Sequence, residues 1–118
     1  MAERGGLALD GVDDYVDLPD DILAGLDDIT ITADVYIEPS QAGSYFIYGM
    51  GATDAAGVGR GYLFTTGNGT YRSAIAPSTY TTEQNVATTS ALPRGQWLQL
   101  AYTLEGTTAR LYLAGEQV

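Results

Sequence analysis

The longest regular pattern in the chain lies in residues 29–38. Ile29, Ile31, Ala33, Val35 and Ile37 alternate with Thr30, Thr32, Asp34, Tyr36 and Glu38. Successive side chains on a strand point to opposite faces, so this alternation, rich in β-branched residues, predicts a half-buried strand. Pro39, which cannot donate to a ladder, ends it. Shorter runs predict further strands at residues 7–9, 15–18, 44–48, 61–66, 70–76, 96–104 and 108–113. The first two flank a turn at residues 10–14. Gly67-Asn68-Gly69 predicts a tight hairpin, because an Asn-Gly step suits the left-handed backbone of such turns. Glu105-Gly106-Thr107 predicts a second hairpin, and Ala114-Gly115 a turn into one more strand.

Helix is nearly absent from this pattern. One turn is expected between Pro19 and Gly25, with acidic residues early and a closing glycine. Many short strands broken by glycine-rich turns predict an all-β, antiparallel β-sandwich of jelly-roll type. With 118 residues there is room for one domain and one core. The chain ends where its last strand should begin to pair. The expectation is therefore a single domain, 1–118, that lacks its closing C-terminal strands or takes them from a second polypeptide or a swapped copy. Such an open sandwich exposes core and a sheet edge, and is expected to associate.

Composition narrows the chemistry. There is no Cys and no His, which removes disulfides, thiolate metal sites, the usual zinc and copper ligands and the commonest general base. Net charge is −10, with five Arg, no Lys and 15 acidic residues. A surface of that sign repels phosphate backbones and anionic lipid, so nucleic acid is not an expected partner. No apolar run is long enough for membrane insertion, and no signal peptide is visible at the N-terminus. The acid is unevenly placed: Asp10, Asp13, Asp14, Asp17, Asp20, Asp21, Asp27 and Asp28 crowd one short stretch. Such a cluster suits a hard cation such as Ca²⁺, or it is a solvated face whose Asp side chains bind nearby backbone N–H groups.

Two segments resemble a known family. Leu9-Asp-Gly-Val-Asp-Asp-Tyr-Val-Asp-Leu-Pro19, followed by the strand at 29–38, resembles the opening of laminin G-like, concanavalin A-like lectin/glucanase domains, with their "DG-x-DDYV-x-LP" turn. Leu92-Pro-Arg-Gly-Gln-Trp-Leu-Gln-Leu-Ala-Tyr-Thr-Leu-Glu-Gly106, with Ala109-Arg-Leu-Tyr-Leu-Ala-Gly115, resembles the family's "W-hHvA…lYvnG" block. Asp34-Val35 stands where the family often has Trp, Gln99 replaces its His, and Ala114 its Asn. The resemblance implies a concanavalin A-like sandwich and a non-catalytic, carbohydrate-binding accessory module of an extracellular, secreted bacterial protein. It also implies a structural Ca²⁺ at the early turn, nominating Asp10, Asp13 and Asp14. The other reading is a structural or protein-interaction module without a glycan ligand.

Candidate ligand residues follow from sugar chemistry, in which aromatic faces stack on pyranose C–H surfaces and charged groups meet hydroxyls. Tyr62, Tyr71 and Tyr80, with Arg60 and Arg72, flank the long central loops, where such scaffolds carry function. The glycine-rich stretch 49–61 lacks the Gly-Lys-Ser/Thr of a phosphate cradle and is expected to be a flexible rim loop carrying Arg60. Trp97 is expected in the core. Some glucanases of this fold carry E-x-D-x-E or E-x-D-x-x-E on one strand face; no such string occurs here, so no catalytic residue is expected. Asn68-Gly69-Thr70 is a glycosylation sequon, better explained as the hairpin turn.

Overall fold

The structure is a computed structural model that describes residues 5–118; Met1–Arg4 lie outside the described residues. Among the described residues, eight strands form two antiparallel sheets: β1 (Ile29–Tyr36), β2 (Phe46–Thr53), β3 (Gly59–Thr66), β4 (Arg72–Ala76), β5 (Gln84–Ala87), β6 (Trp97–Glu105), β7 (Thr108–Leu113) and β8 (Glu116–Gln117). The first sheet runs β1-β6-β7-β8 and the second β2-β3-β4-β5. The sandwich expected from the sequence is present.

Register explains the core. Ile31 faces Tyr102, Ala33 faces Leu100 and Val35 faces Leu98 across β1 and β6, while Leu111 and Leu113 of β7 continue the same face. From the second sheet, Leu63, Ile75 and Val86 pack against them. Leu111 is fully buried and Leu100 nearly so. Burying a leucine contributes about 1.5–3 kcal/mol, so this ladder is the main stabilising element. Trp97 is not part of it. Leu98 holds the inner register, which turns Trp97 to the outer face, where it packs edge-to-face on Tyr36 at 5.9 Å.

Several local expectations are corrected. Residues 7–9 and 15–18 form no strand; Leu7, Leu9, Tyr15 and Val16 remain largely exposed, because no partner edge takes their backbone up. The turn after Pro19 is not helical, because Asp21 and Gly25 both take positive φ and break the right-handed path. The glycine-rich stretch is mostly strand. Residues 49–53 complete β2 and residues 59–61 begin β3, leaving a short turn at 54–58.

The Gly67-Asn68-Gly69 hairpin joins β3 to β4, but none of the three takes a left-handed backbone. Gly67 is required for space. A Cβ there would collide with Leu92 Cδ1 and lie 2.8 Å from the Tyr45 hydroxyl. The turns at Gly106 and at Ala114-Gly115 form as expected, the second with both residues left-handed (φ 53° and 81°).

Candidate functional site: the outer face of the second sheet

The outward face of β2-β3-β4-β5 carries a cluster of aromatic and charged side chains. On β3, Tyr62 and Phe64 alternate outward while Leu63 and Thr65 point to the core. Phe46 joins them from β2 because that strand slips register between Phe46 and Tyr48. The bulge reverses the strand's parity: Phe46 faces outward, whereas Tyr48 turns into the core beside Thr65 and Ser73. Phe46 then meets Phe64 edge-to-face at 5.3 Å, and Tyr62 stacks on Phe64 at 5.6 Å. Beneath the rings the neighbouring outward positions are small, namely Gly49, Gly51, Ala74 and Ala76. The result is a shallow hollow of about 220 Å³ edged by Phe46, Tyr62 and Phe64.

A polar group closes one side of this platform. Glu83, just before β5, accepts a 2.6 Å hydrogen bond from the Tyr62 hydroxyl and an ion pair from Arg72. The Arg72 guanidinium also lies over the Phe64 ring, 5.1 Å from its centroid. The Glu83 carboxylate beside Tyr62 holds the phenolic proton and raises that group above its ordinary value. Five side chains, Phe46, Tyr62, Phe64, Arg72 and Glu83, are thereby joined in one set of contacts.

The five candidate ligand residues separate. Tyr62 and Arg72 come together on the platform. Tyr80 stands exposed in a 3-10 turn, Tyr80–Thr82, whose Tyr80 carbonyl accepts the Glu83 N–H. Arg60 lies at the start of β3, tied by two hydrogen bonds to Asp54 in the β2–β3 turn. Asp54 also accepts N–H groups from Ala56 and Val58, and these, with Arg60, hold its carboxyl below the ordinary value.

Tyr71 must be removed from the set. It is 2% exposed, and its hydroxyl crosses to the first sheet to reach the carbonyls of Ala101 (3.1 Å) and Tyr112 (3.2 Å). Burial pushes its pKa far above the ordinary value. Sequence reasoning missed Phe46, Phe64 and Glu83. The alternation of Tyr62 with Phe64 was a visible signal; the bulge that recruits Phe46 was not.

The acidic turn forms as a hydrogen-bonded nest. Asp10 Oδ1 accepts N–H groups from Val12 (2.8 Å), Asp13 (3.2 Å) and Asp14 (3.3 Å), and Asp14 Oδ2 accepts the Asp10 N–H at 3.1 Å. Those bonds, Val12 first, lower the Asp10 carboxyl below its ordinary value. Oxygens of Asp10, Asp13 and Asp14 lie within 4.8 Å of one another and are exposed. The donor set is all oxygen, as Ca²⁺ requires, but Ca²⁺ takes about 6–8 ligands, so these three residues supply part of a shell and water would complete it.

A second, larger space of about 1740 Å³ opens between the two sheets. Tyr48, Met50, Leu63, Ile75, Tyr102 and Leu104 wall it, and Asp14, Asp17, Asp20 and Asp21 stand among its lining. Its walls are the inner, apolar faces of the sandwich. No helix among the described residues is long and apolar enough to cross a membrane.

Two antiparallel sheets facing one another, with an aromatic platform on one outer face, define an all-β sandwich domain. A laminin G-like family, described as the concanavalin A-like lectin/glucanases superfamily, matches residues 10–118, and the chain belongs to that superfamily, whose domains often bind carbohydrate. No curated protein and no solved structure matches the chain.

Proposed function

We propose that the domain is a non-catalytic carbohydrate-binding module whose ligand lies across the outer face of β2-β3-β4-β5, as an accessory part of an extracellular glycan-acting or cell-surface protein. The observation that carries this reading is the fixed cluster of Phe46, Phe64, Tyr62, Arg72 and Glu83. Aromatic rings are costly to leave in water unless a partner covers them, and Phe46 remains 66% exposed. A pyranose ring supplies C–H surface for Phe46 and Phe64, and its hydroxyls can accept from Arg72 or donate to Glu83. The open, shallow shape suits a chain lying across the sheet better than a small molecule held in a pocket, since such pockets commonly enclose about 300–1,000 Å³.

The test is calorimetric titration of an oligosaccharide panel against the wild-type protein, Phe64→Ala and Tyr62→Ala. Binding lost in both variants, with the far-UV circular dichroism unchanged, supports the platform. Binding retained in both moves the site elsewhere on the domain.

A second reading rests on the apolar space between the sheets. A structural or interaction module would take a strand from a second polypeptide there, covering Met50, Leu104 and their neighbours. Native mass spectrometry of the purified chain separates the readings: a defined complex with another polypeptide favours this one, and a monomer that binds glycan favours the first.

A further inference from the structure

The platform has a feature that bears on the charge of its ligand. Its outward register positions carry Phe46, Phe64, Tyr62, the uncharged polar residues Thr66 and Asn85, and small residues; Arg72 on β4, with Glu83 just before β5, forms the charged pair. That pair is partly shielded, its side chains 29% and 19% exposed, so solvent weakens it less than a pair on an open surface. The other described arginines are engaged elsewhere: Arg60 with Asp54, Arg110 with Glu105, and Arg94 with the Gln41 carbonyl while lying over the Tyr45 ring. A sulfate or uronate group arriving at the platform would find the Arg72 charge already neutralised by a carboxylate, although guanidinium N–H groups remain for a sugar hydroxyl. It would also approach a chain of net charge −10.

Resting on the reading of this face as a glycan platform, we infer that it selects uncharged glycans and rejects sulfated and uronate-bearing ones, with Glu83 as the residue that sets this selectivity. Glu83 acts in two ways. It neutralises Arg72, and through the Tyr62 hydroxyl it fixes the ring that a neutral sugar would lie on. Replacing its carboxylate by an amide keeps an oxygen that can accept from Tyr62 and Arg72 but frees the arginine's charge.

The experiment compares wild type with Glu83→Gln on a panel holding neutral oligosaccharides, uronate oligosaccharides and sulfated oligosaccharides, each at low and at physiological salt. Wild type is expected to bind members of the neutral class alone. Glu83→Gln is expected to gain affinity for the anionic classes by about tenfold at low salt, with that gain falling as salt is added. Anionic glycans binding wild type as tightly as neutral ones would overturn the selectivity while leaving the platform standing. Neutral binding with no anionic gain in folded Glu83→Gln would overturn the role given to Glu83. Silence of wild type toward every class would overturn the platform itself and the inference with it.

Discussion

The Tyr62 hydroxyl donates to Glu83 Oε2 at 2.6 Å across 21 residues of sequence. The contact links β3 to the segment before β5, and it holds Tyr62 in its stack on Phe64. Tyr62→Phe keeps the ring and removes the bond. The bond is open to competition from solvent, so stability should fall only slightly in urea unfolding. Glycan affinity should fall severalfold in the same variant, measured by calorimetry.

Tyr71→Phe is expected to behave in the opposite way. The Tyr71 hydroxyl reaches two carbonyls of the other sheet inside the sandwich, and its loss leaves both without that donor. A buried intramolecular hydrogen bond contributes about 0.5–1.5 kcal/mol net, so the denaturation midpoint should drop clearly. Glycan affinity, measured on the folded protein, should not change.

Ala114 offers a stabilising substitution. It holds a left-handed φ of 53° at the first position of the two-residue turn between β7 and β8. That conformation costs an ordinary residue about 1 kcal/mol, and Asn tolerates it better. Ala114→Asn should therefore raise stability by about 0.5–1 kcal/mol in chemical denaturation, and Ala114→Val should lower it.

Acid should loosen two turns. Asp10 and Asp54 are both held below the ordinary value of 3.8, Asp10 mainly by the Val12 N–H and Asp54 mainly by the Val58 N–H, with Arg60 next. Because each folded-state value is depressed, the stability these groups contribute is present above pH 3.8 and is lost as pH falls through the lower folded values. Amide exchange at Val12 and Val58, followed from pH 5 downward and corrected for intrinsic rates, should show protection falling in that window. Asp10→Asn should already show the reduced protection at pH 5.

The acidic turn also permits a direct calcium measurement. With Ca²⁺ shared by Asp10, Asp13 and Asp14, thermal stability should rise with the ion and fall with a chelator, and Asp13→Asn should abolish the difference. An unchanged midpoint in wild type would mean that the N–H bonds to Asp10 hold the turn without an ion.

The all-β class, the long strand expected at 29–38 and found over Ile29–Tyr36, the β6–β7 hairpin and the last turn were legible because period-2 alternation and positive-φ glycines are local signals. Strand β5, with Gln84 and Asn85 exposed, has no such pattern and forms because β4 offers it an edge. Conversely, residues 15–18 alternate well and form no strand, because a pattern makes a strand only where a partner edge takes it up.

The sequence by itself determined the architecture and the chemistry on offer: no thiol, no imidazole, few cations, many tyrosines, and an acidic turn whose Asp10 side chain captures its own N–H groups. Which tyrosine serves the core and which the surface was decided by tertiary structure. Tyr62 and Tyr71 look alike along the chain, yet one lies on the platform and the other closes the two sheets. The bulge in β2 is the plainest case. Phe46 and Tyr48 share a parity that would place them on one face, and a single register slip against β3 sends Phe46 outward to Phe64 and Tyr48 inward to Thr65. A slip of one residue reverses every side chain beyond it, and its position depends on how two strands meet, which neither strand encodes alone.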